Sequence, residues 1–201
     1  FVTMVYVATG RGAYVATGFA LVAVAAFSAY NLFDHVQRRI GAWLDPFADY
    51  TGAGYQVAQG LFALGSGSLT GSGIGLGRPD LIPAAATDYV FAAVAEEMGL
   101  AGSIAVIAAY ALFVTVGFGI ALRSRDRFRK YLAAGLTILV GLQAILIIAG
   151  VLRLFPVTGI TLPFMSCGGS SLLASAVIVA LLARVSHEGG VCTVPSAVPP
   201  S

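Results

Sequence analysis

An all-α, polytopic membrane protein is predicted by three features of this sequence: its composition, the length of its apolar runs and the placement of its basic residues. Hydrophobic residues make up 58% of the 201 and charged residues only 10%, against about 25% charged in soluble domains. Such a chain lacks the polar side chains to cover a water-facing surface. Four runs are long enough to cross about 30 Å of hydrocarbon. The net charge of +2 is too small to suggest nucleic acid as a partner, and the charges are sorted by position rather than pooled in a patch.

The opening "FVTMVYVATG" has neither a charged start nor a small-residue cleavage site, so no signal peptide is expected. It reads as the end of an earlier apolar segment, and the chain as a fragment of something longer. The first span is residues 12–30. An outer segment, 31–98, is too long for a plain connection. Within it "GYQVAQGLFAL" is amphipathic and too short to span, which predicts an interfacial or re-entrant helix, and the Gly/Ser stretch 65–77 follows as flexible backbone. Irregular backbone near a membrane is tolerated where protein or a wet cavity surrounds it. The second span is about 99–122, the third 131–152 and the fourth about 164–183. Residues 1–185 thus form one membrane domain, and 186–201 read as a disordered cytoplasmic tail.

Charge sets the expected orientation. "RSRDRFRK", between spans two and three, carries five basic residues and one acid, which the positive-inside rule makes cytoplasmic. Arg11 and Arg184 then fall on the same side, while 31–98 and 153–163 face outward. Seven basic residues lie inside and four outside, and seven of the nine acids lie outside.

Acids at the front of an apolar run need a reason, since a carboxylate inside a bilayer costs roughly 2.5–3.5 kcal/mol. Asp88 has two readings: the N-cap of the following helix, or a general base at the mouth of a cavity. Thr87 could cap and leave Asp88 free. On a continuous helix at ~100° per residue, Glu96 lies about 80° round from Asp88 and Glu97 about 180°. Glu96 is therefore the better placed to share its cavity, and Glu97 needs another partner such as an arginine. Structural ion pairing is the alternative for both. Arg38, Arg39 and Arg78 oppose the positive-inside tendency; they suit bidentate phosphate binding, or else lipid headgroups or pairing with Asp45, Asp49 or Asp80. Arg153 reads as a headgroup anchor.

Other motifs carry less. "GSGIGLG" lacks the G-x-G-x-x-G spacing and a preceding strand, so it is no dinucleotide site. "CGGSS" is no nucleophile motif; its small residues suit close packing or a cradle near a ligand. Ser166 and Ser170 join Thr87 as substrate-binding candidates on that basis. Cys167 reads as a packing residue. Cys167 and Cys192 form no disulfide framework, and with His35 and His187 isolated no metal spacing is visible.

Three stretches resemble one family in order and spacing. These are "RRIGAWLDPFADYTGAGYQVAQGLFALGSGSLTGSGIGLG", "IPAAATDYVFAAVAEEMGLAG" and "FPVTGITLPFMSCGGSSLL". They are similar to the W-L-D-P loop, the P-E-x-H-T-D-F-x-F-x-x-x-x-E-E-x-G motif and the P-x-T-G-x-x-L-P-F-x-S-Y-G-G-S-S signature of the bacterial SEDS proteins, the RodA, FtsW and SpoVE group. The resemblance implies around ten transmembrane helices, of which this chain would hold the C-terminal half, in the bacterial cytoplasmic membrane. It implies polymerisation of lipid II into peptidoglycan strands at the extracytoplasmic face, in elongation, division or sporulation, with a class B penicillin-binding protein and membrane lipids as partners. The family's essential aspartate falls on Asp88. No cofactor is certain; a divalent cation, Mg or Mn, is compatible with pyrophosphate departure. Ala84 and Ala86 replace the family's Glu and His, Tyr89 replaces Phe and Cys167 replaces Tyr, so roles given to those side chains do not transfer. Two other readings stand beside glycosyl transfer: a lipid II flippase, and a non-catalytic scaffold for a penicillin-binding protein.

Overall fold

The computed structural model describes residues 4–6 and 10–190. The chain forms α1 (Gly12–Leu32), α2 (Asp34–Leu44), α3 (Tyr55–Gly67), α4 (Val90–Arg123), α5 (Arg127–Val151) and α6 (Gly169–Gly190), with a 3-10 turn at Pro79–Leu81. Helices α1, α4, α5 and α6 are long and apolar enough to cross a membrane. Their outer faces leave Phe27 74% and Leu112 65% exposed, a surface that only hydrocarbon solvates well. This is a multi-pass helical membrane protein with the four expected spans.

Helix α5 starts at Asp126, whose side chain accepts from the Arg129 N–H at 3.3 Å. Arg129 and Arg184 both pair with Glu188, at 2.7 and 2.5 Å, and so gather the ends of α5 and α6 beside the basic loop. That pairing carries α6 beyond the expected end at 183: residues 186–190 are helical, not a disordered tail, while 191–201 lie outside the described residues. The front of α6 is also later than expected. Residues 164–168 are irregular because the N–H groups of Met165 and Ser166 turn back to the Leu162 carbonyl, with Phe164 at φ 67°.

Helices α4 and α5 pack through small residues. A Cβ on Gly117 would overlap the Thr137 side chain, and one on Gly141 would lie 2.9 Å from Val114 Cγ2, so both glycines permit the close approach typical of membrane helices. One cluster, with Ala121, Ala133, Leu182 and Val185, joins α4, α5 and α6 near the basic loop. Another, with Tyr89, Phe91, Ala144, Ile147, Val151 and Leu162, fills the opposite end.

At that opposite end α4 is broken. Gly99 has φ 63° and ψ −157°, a conformation essentially confined to glycine. The break strips the Glu96 and Glu97 carbonyls of their helical partners. The stretch after α3 supplies new ones: Ser72 N–H donates to Glu96 O at 2.9 Å, Gly73 N–H to Glu97 O at 3.0 Å, and Leu100 N–H to Ser68 O at 3.1 Å. The expectation of flexible backbone over 65–77 is corrected here, since 65–67 close α3 and 68–73 are pinned to the broken helix. Helix α3, with Val57, Ala58, Gly60 and Ala63 buried, packs on the front of α4.

Candidate active site

Asp88 does not cap α4. The cap position is Tyr89, which makes no side-chain capping bond, and the Thr87 hydroxyl turns back to Ala84 O at 3.2 Å. Residues 84–89 form a turn in which the N–H groups of Thr87, Asp88 and Tyr89 all converge on Ala84 O. Both capping readings are thereby overturned, and the Asp88 carboxylate is left for other work.

Main-chain anchors fix this turn. The buried Ser166 hydroxyl donates to Thr87 O at 2.5 Å and accepts from Leu162 N–H at 2.6 Å. Cys167 N–H donates to Ala86 O at 2.8 Å. The Ser166 loop is itself held by Tyr110 of α4, which donates to Pro163 O, and by Gln143 of α5, which donates to Thr161 O at 2.8 Å. Ser166 therefore acts on the backbone that carries Asp88. Ser170 is exposed, and the hydroxyl that meets Thr161, at 3.0 Å, is that of Ser171.

Helix α2 brings the arginines. Arg153, expected to contact lipid headgroups, instead donates to the Trp43 and Leu44 carbonyls at 2.8 and 2.5 Å, while Trp43 Nε1–H donates to Arg153 O at 2.9 Å. A cation on the terminal carbonyls of a helix is favoured by the helix dipole. So held, α2 presents Arg38 and Arg39 to Asp88. Arg39 donates to Val157 O at 3.2 Å. A Cβ placed on Gly159 would lie 3.5 Å from both Asp88 Oδ2 and Arg39 Nη2, so these groups are no more than twice that distance apart. Among the described residues the ion pairs involve Arg129 and Arg184 only. Asp88 and Arg39 thus face each other without closing on one another. Asp45 and Asp49 accept from the backbone N–H groups of Phe47, Ala48 and Ala53, and among the described residues neither pairs with an arginine.

Arg38, Arg39, Gln56, Asp88, Val157 and Gly159 line a cavity of about 100 Å³. At ~30 Å³ per water it admits a reacting group, not a whole sugar. Gln56 and Gly159 were not anticipated. The glycine stands at φ +71° within "PVTGI", where a side chain would fill the gap between Asp88 and Arg39. Gln56, which donates to Pro83 O at 3.0 Å, had no signal beyond its place in "GYQ".

Glu96 and Arg78 are elsewhere. Glu96 is 8% exposed and one of its carboxylate oxygens accepts the Arg78 backbone N–H at 3.1 Å; it faces the loop at Gly77, not the Asp88 cavity. The helical-wheel expectation is corrected because Asp88 precedes the helix, so no wheel relates the two residues. The Arg78 side chain is exposed, away from Arg38 and Arg39. Glu97 gains no arginine among the described residues; its carbonyl serves Gly73. Beside Asp88, the phenol of Tyr89 is buried with no hydrogen-bond partner among the described residues, and burial first, then the Asp88 charge, raises its pKa above the ordinary 10.0.

Comparison with known proteins adds the following. Residues 1–190 match the family model FTSW_RODA_SPOVE, described as cell cycle protein. The chain is 46% identical over 187 residues to "Peptidoglycan glycosyltransferase RodA" of Mycobacterium bovis, covering 93% of this chain and 40% of that protein. It is 43% identical to the protein of the same name in Mycobacterium leprae, covering 94% and 40%. It is 41% identical to "Probable peptidoglycan glycosyltransferase FtsW" of Synechocystis, covering 81% and 42%. A solved structure described as "Structural coordination of polymerization and crosslinking by a peptidoglycan synthase complex" superposes with TM-score 0.72 at 28% identity, over 93% of this chain and 52% of the other. The chain therefore spans about 40% of the length of these RodA and FtsW relatives.

Proposed function

This chain belongs to the FtsW/RodA/SpoVE family, and from that premise we propose that the full-length protein is a peptidoglycan glycosyltransferase that polymerises lipid II at the outer face of the bacterial cytoplasmic membrane. The observation that carries the reading is the half-buried Asp88, out of any ion pair and facing Arg38 and Arg39 across Gly159.

A sugar hydroxyl is a poor nucleophile until a base takes its proton. Asp88 takes it from the 4-hydroxyl of the acceptor GlcNAc, a step worth about 10²–10⁴-fold. The oxygen forms its bond to C1 of the donor MurNAc as the bond to the lipid pyrophosphate breaks. A single displacement inverts C1, by analogy with inverting glycosidases. Arg38 and Arg39 neutralise the departing pyrophosphate. Among the described residues Asp88 is the sole carboxylate lining the cavity; a Mg or Mn ion held there would take its remaining ligands from substrate oxygens and water, as Mg commonly does. The small cavity admits the reacting hydroxyl while the lipid-linked sugars lie against its mouth, and substrate arrives laterally from the outer leaflet. A class B penicillin-binding protein is the proposed partner, in keeping with the synthase complex to which the fold is similar.

The test is polymerisation of labelled lipid II by the purified full-length protein with its partner, wild type against Asp88→Asn. Product from the wild type and a loss of about 10²-fold or more in a folded variant is expected. Equal product from both would remove Asp88 as the base. Binding of lipid II without product from either would favour transport.

A further inference from the structure

The end of the bundle opposite Asp88 carries charge that catalysis does not use. Arg123 closes α4 and Arg127 opens α5. Both helices are long and apolar enough to cross a membrane, so the short link between them lies at the boundary of hydrocarbon and water. Polar groups in that link point in alternate directions. Ser124 is 9% exposed, and its N–H and hydroxyl both donate to Ile120 O, at 3.2 and 3.0 Å. Asp126 caps α5 and lies 3.9 Å from the Arg129 guanidinium. With Ser124 turned into the protein and Asp126 held on α5, Arg123, Arg125 and Arg127 are left exposed, and Lys130 joins them one turn further on.

The described residues supply nothing to neutralise these four. The acids at this end are Asp126, held by the start of α5, and Glu188, shared by Arg129 and Arg184. Arg123, Arg125, Arg127 and Lys130 enter no ion pair among the described residues. Phe128 stands in the middle of the basic groups and is 71% exposed.

We propose that this end of the bundle is a binding site for anionic phospholipid, with headgroup phosphate on Arg123, Arg125 and Arg127 and an acyl chain over Phe128. Charge complementarity selects an anion, and the guanidinium fork matches phosphate oxygens in bidentate fashion. Depth and Phe128 select the lipid: a soluble anion satisfies the arginines but leaves the ring in water. A zwitterionic headgroup brings its own cation beside the phosphate, so a headgroup with net negative charge is preferred. Ser124 and Asp126 fix the link before the lipid arrives, which keeps the ordering cost of binding low. One lipid touching Arg123 and Arg127 bridges the ends of α4 and α5, and so stabilises the folded pair as it binds.

The experiment titrates the purified full-length protein in detergent with phosphatidylglycerol or phosphatidylcholine of the same acyl chains, and counts bound lipid by native mass spectrometry. It measures binding without turnover, so its result is independent of the glycosyltransferase reading. Wild type should prefer phosphatidylglycerol by about 100-fold, the scale of three basic side chains at a charged surface, and the preference should shrink as salt rises. Arg123→Gln, Arg125→Gln and Arg127→Gln combined should abolish it, while Arg78→Gln, at the other end of the bundle, should leave it intact. Because loss of charge from this loop also weakens the signal that orients the spans, Phe128→Ser is the second variant. It keeps every charge and should weaken phosphatidylglycerol binding about tenfold, and it decides the matter if the triple variant does not fold. Equal affinity for the two lipids, or a preference that survives the triple replacement, would overturn the proposal. Wild-type binding by Phe128→Ser, or displacement of the lipid by inorganic phosphate, would overturn it in favour of a soluble anion. Displacement by a polyglutamate peptide would overturn it in favour of an acidic protein segment.

Discussion

Gly99→Ala is the substitution on which the broken-helix architecture can be judged. Its backbone, at φ 63° and ψ −157°, costs an L-residue about 1–3 kcal/mol. Space is the second obstacle: the new Cβ would press on Gly71 N, and lie 2.8 Å from Leu69 O and 2.9 Å from Gly67 O. All three are main-chain atoms and cannot rotate away. Relief requires α4 to become continuous, and that returns Glu96 O to the Leu100 N–H and Glu97 O to its own helical partner, expelling the Ser72 and Gly73 N–H groups from their present bonds. Two bonds at about 1 kcal/mol each give a local loss of about 2 kcal/mol. The assay is hydrogen exchange of the full-length protein, read at the amides of residues 72 and 73. Protection should fall by about 30-fold, since about 1.4 kcal/mol corresponds to one decade. Unchanged protection at those amides would refute the account of the broken helix and of its partner loop.

Ser166→Ala strands the Leu162 N–H and the Thr87 carbonyl; it lowers kcat with little change in KM and destabilises by about 1–3 kcal/mol, whereas exposed Ser170→Ala stays within about 0.5 kcal/mol. Kinetics and thermal melts of the two side by side check this, and equal effects would refute it. Arg153→Gln frees the end of α2 and moves Arg38 and Arg39 off Asp88, so substrate titration should show KM rising more than kcat falls. Tyr89→Phe removes an unpartnered buried hydroxyl and stabilises the fold by about 1 kcal/mol. Because burial raises the Tyr89 pKa above 10.0, its neutral form is the one the fold favours. The stability tied to that form is complete below pH 10 and is lost as pH rises through the raised value. The advantage of Tyr89→Phe should therefore widen in melts taken above pH 10.

The membrane spans and the Asp88 motif were legible because each depends on local pattern: twenty apolar residues make a span wherever they sit, and Thr-Asp before an apolar run is visible in the string. Orientation of Glu96 was not legible. The helical wheel assumed that Asp88 lies on α4, whereas the turn on Ala84 O places it ahead of the first helical residue. Gly99 reads in the string as one glycine among small residues, since its unusual dihedral angles arise only when Gly71 and Gly67 come against it. Arg153 misled for a related reason. Its position after an apolar span favours a headgroup anchor on local grounds, and only tertiary packing brings the carbonyl end of α2 within its reach.

The hold on the Asp88 turn has an evolutionary consequence. Ser166 grips Thr87 O and Cys167 N–H grips Ala86 O, and both are carbonyls that any amino acid carries. The side chains of Ala84 and Ala86 are exposed and bear none of this load. Drift at Ala86 can therefore proceed without moving the aspartate between generations of sequences, while Ala84, at φ 57°, admits only residues that tolerate a left-handed backbone. This lineage can have exchanged an acid and an imidazole for two methyl groups while keeping the geometry of its neighbour, and the chemistry next to Asp88 is the part of the site most open to rewriting.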